Sequence, residues 1–239
     1  VQYGTGNMAM LLACHKDVPN YIEFWQKFEG YKIVDSGVAE NNPVTIEEQI
    51  EFAKLVRADE LVLRDYLLNK DETLRLHKEM LSVLSKDESQ HNFTLQAVPQ
   101  ASNRKDYIDC MKQMLDIPII KVLGLSKIAT PYSYSQLLQT DDITLCRVQA
   151  INDFLKLAPE KIWNRQLHLL GMGSLQEPCI YQNNSYVRSL DSAFPILCQL
   201  EGHSIGLERT KTSTNYFQRK LSEEQLELIK IQLLQYQKI

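Results

Sequence analysis

A short apolar run followed by a helical pattern recurs along the chain, and this repeat constrains the fold more than any other feature. The four clearest runs begin at residues 32, 61, 93 and 119, at intervals of 29, 32 and 26 residues. That is the length of one strand–helix unit, and strands that alternate with helices predict a parallel sheet. Two later runs, at 166–170 and 186–190, extend the series to six strands.

The helical patterns lie between these runs. Thr45 with Glu48 three residues later forms a capping box, which places a helix start there. Apolar residues at helical spacing follow each start. The predicted helices span 45–57, 71–84, 104–115, 142–157 and, at the end of the chain, 222–236.

Two further strands complete a barrel. Val1–Tyr3 is interpreted as the stub of a first strand, whose front could lie before Val1, with Asn7 capping a helix over 8–14. Residues 204–208 supply an eighth strand. Eight units in 239 residues predict an α/β fold, a single-domain (β/α)₈ TIM barrel over 1–239, in which 204–239 form a basic loop and the closing helix. A doubly wound open sheet is the alternative, weakened by the absence of a GxGxxG turn.

Composition excludes several other classes of protein. With 44% hydrophobic and 23% charged residues, the chain is not of the disordered type. No apolar run is long enough to span a bilayer and no signal peptide is visible, so we expect no membrane partner and a cytoplasmic location. The net charge of −4 excludes a strongly basic coat but not a local basic stripe. Five scattered cysteines without a CxxC pair argue against disulfides and a four-thiolate zinc site.

Carboxylates follow three of the predicted strands. Asp35, Asp65 and Asp191 each come at or just after an apolar run. In parallel-sheet folds the reacting groups sit at the carboxyl ends of the strands, so these side chains are expected to face one site. Asp is also common where strands end, because it caps turns.

The chemistry that such a set can perform is limited. No His or Cys lies at these strand ends, which argues against a nucleophilic Cys–His or Ser–His system, and His168, inside a strand, is interpreted as a core residue. Convergent carboxylates suit glycosyl transfer, in which one attacks or shields the sugar carbon while another moves a proton. A Mg²⁺ site in a barrel lyase or hydrolase is the competing use.

Six segments in order carry a family resemblance. They are Val34-Asp35-Ser36-Gly37, Ala58 to Asp65, Ala97-Val98-Pro99-Gln100-Ala101, Val122-Leu123-Gly124-Leu125-Ser126, Leu167 to Gly173, and Val187 to Ala193. Together they resemble the tRNA-guanine transglycosylase family, whose fold is a TIM barrel, over roughly residues 31–195. In its small size, the chain is most similar to the phage and bacterial branch of the family, which inserts 7-deazaguanines into DNA.

The resemblance implies a role for each matching residue. Asp191 matches the nucleophile that attacks C1′ and forms a covalent glycosyl-enzyme, and Asp35 matches the acid/base that protonates the leaving base. Asp65 matches the carboxylate that binds the donor-rich edge of the base. The other implied substrate-binding positions are Ser36, Gln100, the backbone of Gly124 and Leu125, and the stacking wall Gly171-Met172-Gly173.

The implied activity is that of a pentosyltransferase which replaces guanine in DNA with a base such as 7-cyano-7-deazaguanine. This places the protein in the cytoplasm of a bacterium or of a phage-infected host. The same exchange on tRNA is one alternative. A non-catalytic barrel subunit that binds nucleic acid is another, against which the paired Asp35 and Asp191 speak.

The nucleic acid must deliver a flipped nucleotide to the carboxylates. Candidate backbone contacts form a basic cluster that consists of Arg188, Arg209, Lys211, Arg219 and Lys220. The chain also departs from the tRNA enzymes, which carry a CxCxxC run and a later His after the nucleophile. Because Cys198 and His203 alone are too few for a tetrahedral site, we expect no zinc, no zinc subdomain and no other cofactor.

Overall fold

The computed structural model describes residues 8–41, 43–86, 92–172, 177–192, 222–225 and 227. Within these ranges strands alternate with helices, as the repeat predicts. The strands are β1 (Met8–Leu12), β2 (Tyr31–Asp35), β3 (Glu60–Val62), β4 (Thr94–Ala97), β5 (Ile120–Ser126), β6 (Gln166–Leu170) and β7 (Val187–Leu190). The helices are α1 (Tyr21–Lys27), α2 (Ile46–Leu55), α3 (Lys70–Ser85), α4 (Arg104–Leu115), α5 (Ala129–Leu138), α6 (Ile143–Leu155), α7 (Pro159–Ile162) and α8 (Glu177–Tyr181).

All seven strands are parallel and pair in chain order, from β1 to β7. A doubly wound sheet reverses its strand order at a switch point. No reversal occurs among the described strands, so the doubly wound alternative is wrong for this part of the chain. The protein has an α/β fold with a sequentially wound, TIM-like parallel sheet.

One long-range ion pair shows that the sheet is strongly curved. The guanidinium of Arg188 in β7 donates to both carboxylate oxygens of Glu60 in β3, at 2.8 and 3.0 Å. The same guanidinium lies 5.7 Å from the ring centre of Tyr31 in β2. In a flat sheet four strand spacings would separate β3 from β7 by about 19 Å. The sheet therefore curves so that side chains of β2, β3 and β7 meet in a common interior.

The two faces of the sheet have separate apolar clusters. The larger cluster lies between the outer face and the helices, and includes Leu61, Leu95, Leu123 and Leu169. The smaller one is interior and consists of Ile33, Val62 and Val98, with Met8, Met10, Tyr31 and Leu170 packed against it. This division follows from the alternation of side chains along each strand, which sends every second residue inward.

Helix starts agree with the capping signals. The Thr45 hydroxyl accepts from the Glu48 N–H at 3.1 Å and the Glu48 carboxylate accepts from the Thr45 N–H at 2.9 Å, so the predicted capping box is confirmed. The side-chain oxygens of Asn69, Asn103 and Asp142 each accept from the backbone N–H three residues later, and so cap α3, α4 and α6.

The start of the chain differs from the prediction. Residues 8–12 form strand β1 rather than a helix, and only a short 3₁₀ turn follows at Ala13–His15. β1 packs on both faces, with Ala9 against the outer cluster and Met10 against the interior one. Such a strand has a continuous apolar sequence, which periodicity does not distinguish from a buried helix. The stub at Val1–Tyr3 and the cap at Asn7 lie outside the described residues.

The sequence also missed α5, which lies in the Ser- and Tyr-rich stretch after β5. Pro131 is the third residue of this helix. A proline is tolerated there because the first-turn N–H groups have no partner within the helix.

Other parts of the predicted barrel fall outside the described ranges. The eighth strand at 204–208 is among them, so closure into eight units is untested. Of the closing helix, residues 223–225 and 227 are helical. Among the described helices, none combines the length and the hydropathy that a membrane span requires.

Candidate active site

Asp35, Asp65 and Asp191 lie at one rim of the sheet. Asp35 ends β2, Asp65 follows β3 and Asp191 follows β7, and parallel strands bring these carboxyl ends to the same edge. The negative charge of Asp191 raises the pKa of Asp35, and that of Asp35 raises the pKa of Asp65. The structure therefore brings Asp35 within electrostatic reach of both Asp65 and Asp191.

The pKa values of two of these carboxyl groups, Asp35 and Asp65, are raised. Burial raises the pKa of Asp35, with hydrogen bonds from the Ser36 and Gly37 N–H groups opposing and the charge of Asp191 adding to the shift. Gly37 has φ of 90°, a left-handed conformation that favours glycine and turns the chain after β2. Burial also raises the pKa of Asp65, to about 7.

Gln100 is the hydrogen-bond partner of Asp65. Its side-chain NH₂ donates to Oδ2 of Asp65 at 2.5 Å, while its carbonyl oxygen accepts from the Leu68 N–H at 3.1 Å. Because Leu68 can only donate here, the amide must present its nitrogen to Asp65. Gln100 is thus fixed against the carboxylate that the sequence analysis grouped with it.

The pKa of Asp191 is shifted in the opposite direction, below its ordinary value. Burial on its own raises its pKa, but the hydrogen bond from His168 and the backbone N–H of Gly171 outweigh this effect and leave the pKa below its ordinary value. His168 Nε2 lies 3.2 Å and Gly171 N 3.0 Å from the same oxygen, Oδ1. The other oxygen, Oδ2, has no hydrogen bond from any described residue.

His168 is fully buried inside β6, as predicted, and both of its ring nitrogens are hydrogen-bonded. Its contact with Asp191 was not predicted, and it makes His168 a candidate site residue. The alternation in β6 contains the signal, because Leu167 and Leu169 face the outer cluster and Leu170 the interior. A histidine at the interior position of such a strand faces the site.

Two of the predicted positions are glycines in confined surroundings. A Cβ on Gly124 would lie 2.7 Å from both the Gln96 amide nitrogen and a methyl of Leu170, so a larger residue would displace the ends of these side chains. Gly171 has φ of 69°, and this conformation accompanies the hydrogen bond from its N–H to Asp191. Met172, next in the predicted stacking wall, is buried, and Gly173 lies outside the described residues.

A buried arginine, also missed from the sequence, joins the ends of β5 and β6. Arg147 donates to the carbonyl oxygens of Leu125 and Leu170 and pairs with Glu177 at 2.9 Å. The Leu125 carbonyl is therefore engaged by the protein, and the Leu125 side chain belongs to the outer cluster. Of the predicted pair Gly124 and Leu125, the Gly124 position is the one on the interior face.

Several buried polar atoms in or next to the candidate site residues lack partners in the part of the chain that is described. They are the Ser36 hydroxyl, Nη1 of Arg64 and both amide atoms of Gln96. Buried polar groups are nearly always hydrogen-bonded in folded proteins, to protein, water or a ligand. Of these groups, the Gln96 amide lies on the interior side of the sheet beside Gly124, where it is available for a polar contact.

The predicted basic cluster is divided by the structure. Arg188 points into the interior, where Glu60 and Tyr31 surround it, and this position does not favour a phosphate contact. Its role in binding nucleic acid stays a prediction. Arg209, Lys211, Arg219 and Lys220 lie outside the described residues.

Comparison with known proteins adds no family assignment. No family model matches the chain, and no curated protein matches it. In the described ranges, no group of three or more His, Cys, Asp or Glu side chains is placed to hold a metal ion. The expectation of no zinc stays a prediction, since Cys198 and His203 are not described.

Proposed function

We propose that this chain is a base-exchange glycosyltransferase that uses Asp191 as the nucleophile and Asp35 as the acid/base. The observation that carries the proposal is the division of protonation states at the rim, where the pKa of Asp191 is lowered and that of Asp35 is raised. Two neighbouring carboxyl groups with pKa values pushed apart are the arrangement that glycosyl transfer through a covalent intermediate requires.

The steps follow from the two states. The ionised Asp191 attacks C1′ of the nucleotide through Oδ2, since Oδ1 is held by His168 and Gly171. As the C1′–O bond forms, the bond from C1′ to the base nitrogen breaks and protonated Asp35 gives its proton to the departing base. Asp35 then removes the proton from the incoming base, whose nitrogen attacks C1′ and releases the Asp191 carboxylate.

Asp65 and Gln100 suit recognition of the base. An ionised carboxylate only accepts hydrogen bonds and so fits the N1–H and N2–H edge of a guanine-type ring. The unpartnered Ser36 hydroxyl provides a further polar contact at the same rim. Side chains of Gln96, Leu170 and Val98 occupy the space beside Gly124, so a contact between Gly124 and the base rests on the resemblance alone.

The finer assignments rest on the sequence resemblance. We propose guanine in DNA as the replaced base, a 7-deazaguanine such as 7-cyano-7-deazaguanine as the incoming one, and closure of the sheet into a (β/α)₈ barrel through 204–208. Exchange on tRNA is the alternative outcome of the same test. The basic residues at 209, 211, 219 and 220 are the proposed contacts to the nucleic-acid backbone.

The test offers radiolabelled guanine and 7-cyano-7-deazaguanine to the protein with DNA and with tRNA in parallel. We expect label in DNA, and a covalent protein–DNA adduct on rapid denaturation. Asp191→Asn should lose at least about 10⁴-fold in exchange and should form no adduct. Asp17→Asn is the matched control, because Asp17 follows β1 at the same edge of the sheet and its side chain is 89% exposed.

Each outcome decides a different part of the proposal. Label in tRNA alone replaces the polymer but retains the chemistry. Full exchange by Asp191→Asn contradicts the nucleophilic role of Asp191. Absence of label from both polymers, with either base, contradicts the proposed activity.

A further inference from the structure

A hydrogen-bonded chain crosses the interior of the sheet and ends on Asp191. Glu60 accepts from Arg188, and Arg188 Nε donates to the Ser189 hydroxyl oxygen at 3.3 Å. The Ser189 oxygen lies 2.8 Å from Nδ1 of His168, whose Nε2 lies 3.2 Å from Oδ1 of Asp191. Its members come from β3, β6 and β7, so the chain depends on the curvature of the sheet.

An irregularity in β7 makes the chain possible. The register shifts between β6 and β7, so that Leu167 pairs with Val187 and the next residue, His168, pairs with Ser189. Arg188 is the extra residue at this point. An extra residue interrupts the strict alternation of a strand and re-aims its side chains. Arg188 and Ser189 are consecutive, yet both contact interior groups.

The hydrogen-bonding capacities of the two end residues constrain the form of the His168 ring. Arg188 can only donate, so the Ser189 oxygen accepts there and the Ser189 hydrogen is available for Nδ1 of His168. An ionised Asp191 can only accept, so Nε2 of His168 must carry the hydrogen. The neutral ring that uses both contacts has a lone pair on Nδ1 and hydrogen on Nε2.

We infer that Ser189, held by Arg188, selects the Nε2–H tautomer of His168 and makes His168 the positioning residue for Asp191. The tautomer of a histidine is set by the hydrogen bond that its other nitrogen makes. With the ring fixed, Oδ1 of Asp191 has a permanent donor and Oδ2 is directed away from it. The nucleophilic role of Asp191 rests on the proposed function, whereas the tautomer does not.

The tautomer is measured directly on the full-length protein labelled with ¹⁵N-histidine. A two-bond ¹⁵N–¹H spectrum distinguishes a protonated ring nitrogen from one with a lone pair. Among the five histidines, the His168 signals are those absent from His168→Gln. We expect Nδ1 unprotonated and Nε2 protonated at neutral pH. Ser189→Ala should shift His168 to a mixture of tautomers, and Ser189→Thr, which retains a hydroxyl, should not.

The kinetic arm separates positioning from general damage. In Ser189→Ala we expect kcat for base exchange to fall about tenfold or more, while KM for the base stays within about twofold of the wild type. Losses of about this size follow when a residue that orients a metal-binding histidine is removed from other proteins. Ser189→Thr should retain most of the wild-type kcat. His168→Gln, whose amide can still donate to Asp191, should retain more activity than His168→Leu.

Two results would overturn the inference. One is a wild-type His168 that carries hydrogen on Nδ1, either alone or on both nitrogens. The other is a Ser189→Ala protein whose His168 tautomer and kcat match the wild type. If the wild-type protein exchanges no base, the proposed function fails, and the spectra of the wild type and Ser189→Ala still decide the tautomer.

Discussion

Two sets of buried acidic side chains lie within the same curved sheet, and they are held in different ways. At the amino end of β3, Glu60 is fully buried and accepts two hydrogen bonds from Arg188 and one from the Tyr31 hydroxyl. At the carboxyl rim, the buried Asp65 has a neutral amide as its partner, and Asp35 has backbone N–H groups. One set is neutralised by a paired cation and the other is not.

The difference indicates what each set is for. A buried carboxylate with a bidentate arginine is satisfied by the fold and has no need of a ligand. Burial raises the pKa of Tyr31 to about 12, with the charge of Glu60 adding to the shift, so Tyr31 stays a donor to Glu60. A buried carboxyl group without a paired cation has its pKa raised, as Asp35 and Asp65 do, although the charge of Arg64 opposes the shift at both. Perturbed groups of this second kind are candidates for proton transfer and ligand binding.

After the loss expected for Asp191→Asn, the largest effect comes from Asp35. Asp35→Asn places a side chain of the same shape at the rim that cannot deliver a proton, so the base must leave unprotonated. We expect kcat for exchange to fall by about 10²–10⁴-fold, the usual contribution of a positioned acid or base. Single-turnover measurements with labelled base determine the rate, with Asp17→Asn as the control. An unchanged kcat would show that Asp35 moves no proton in the reaction.

Much of the fold could be predicted from the sequence because its signals are local. The intervals between strands, the Thr45–Glu48 capping box and the bounds of α4 at 104–115 depend on neighbouring residues alone. The helix predicted over 8–14 was wrong because the five apolar residues of Met8–Leu12 are equally compatible with a strand and with a buried helix.

The site was predictable only in part, for a related reason. Carboxylates at strand ends are visible in the sequence, and the structure brings Asp35, Asp65 and Asp191 together. The contacts that give them different pKa values are not visible there. Arg188 and Glu60 are 128 residues apart, and His168 acquires its role from the face of β6 on which it lies. Such long-range pairs depend on the curvature of the sheet.

The ion pair between Glu60 and Arg188 should contribute more to stability than the carboxyl groups at the rim. Glu60→Ala leaves the Arg188 guanidinium buried without its partner, and we expect the free energy of unfolding at pH 7 to fall by about 3–5 kcal/mol. Denaturant titration followed by circular dichroism measures this change. Glu60→Met combined with Arg188→Met removes both charges and should recover much of the loss. A double variant less stable than Glu60→Ala would mean that the pair itself, rather than the orphaned charge, accounts for the effect.

At the carboxyl rim, replacement of Asp65 should raise the free energy of unfolding rather than lower it. The pKa of Asp65 is raised to about 7 in the folded protein, from an ordinary value of 3.8. Its contribution to stability is therefore fully present below about pH 4 and is lost as the pH rises through about 7. Asp65→Asn stays neutral and can still accept from Gln100.

We therefore expect Asp65→Asn to unfold with a higher free energy than the wild type at pH 8, by up to about 4 kcal/mol. Urea titrations at pH 8 and at pH 4 measure the difference, which should disappear at the lower pH. Equal stabilities at pH 8 would indicate that Asp65 is accommodated as a carboxylate without cost. Stabilisation by removal of a site charge is the mark of a group retained for function.

The smallest effect is the pH dependence of base binding, and it tests what Asp65 does with its ionised form. The donor-rich edge of a guanine-type base requires an ionised Asp65, and a pKa of about 7 leaves much of the empty site protonated near neutral pH. Affinity for 7-cyano-7-deazaguanine should be constant above about pH 8 and fall about tenfold per unit well below pH 7, since one proton must leave on binding. Isothermal titration calorimetry in two buffers of different ionisation enthalpy measures both the affinity and the proton released. Asp65→Asn should bind the base more weakly and without pH dependence. If the affinity of the wild type instead rises as the pH falls, the base accepts a hydrogen bond from protonated Asp65 and presents a different edge to it.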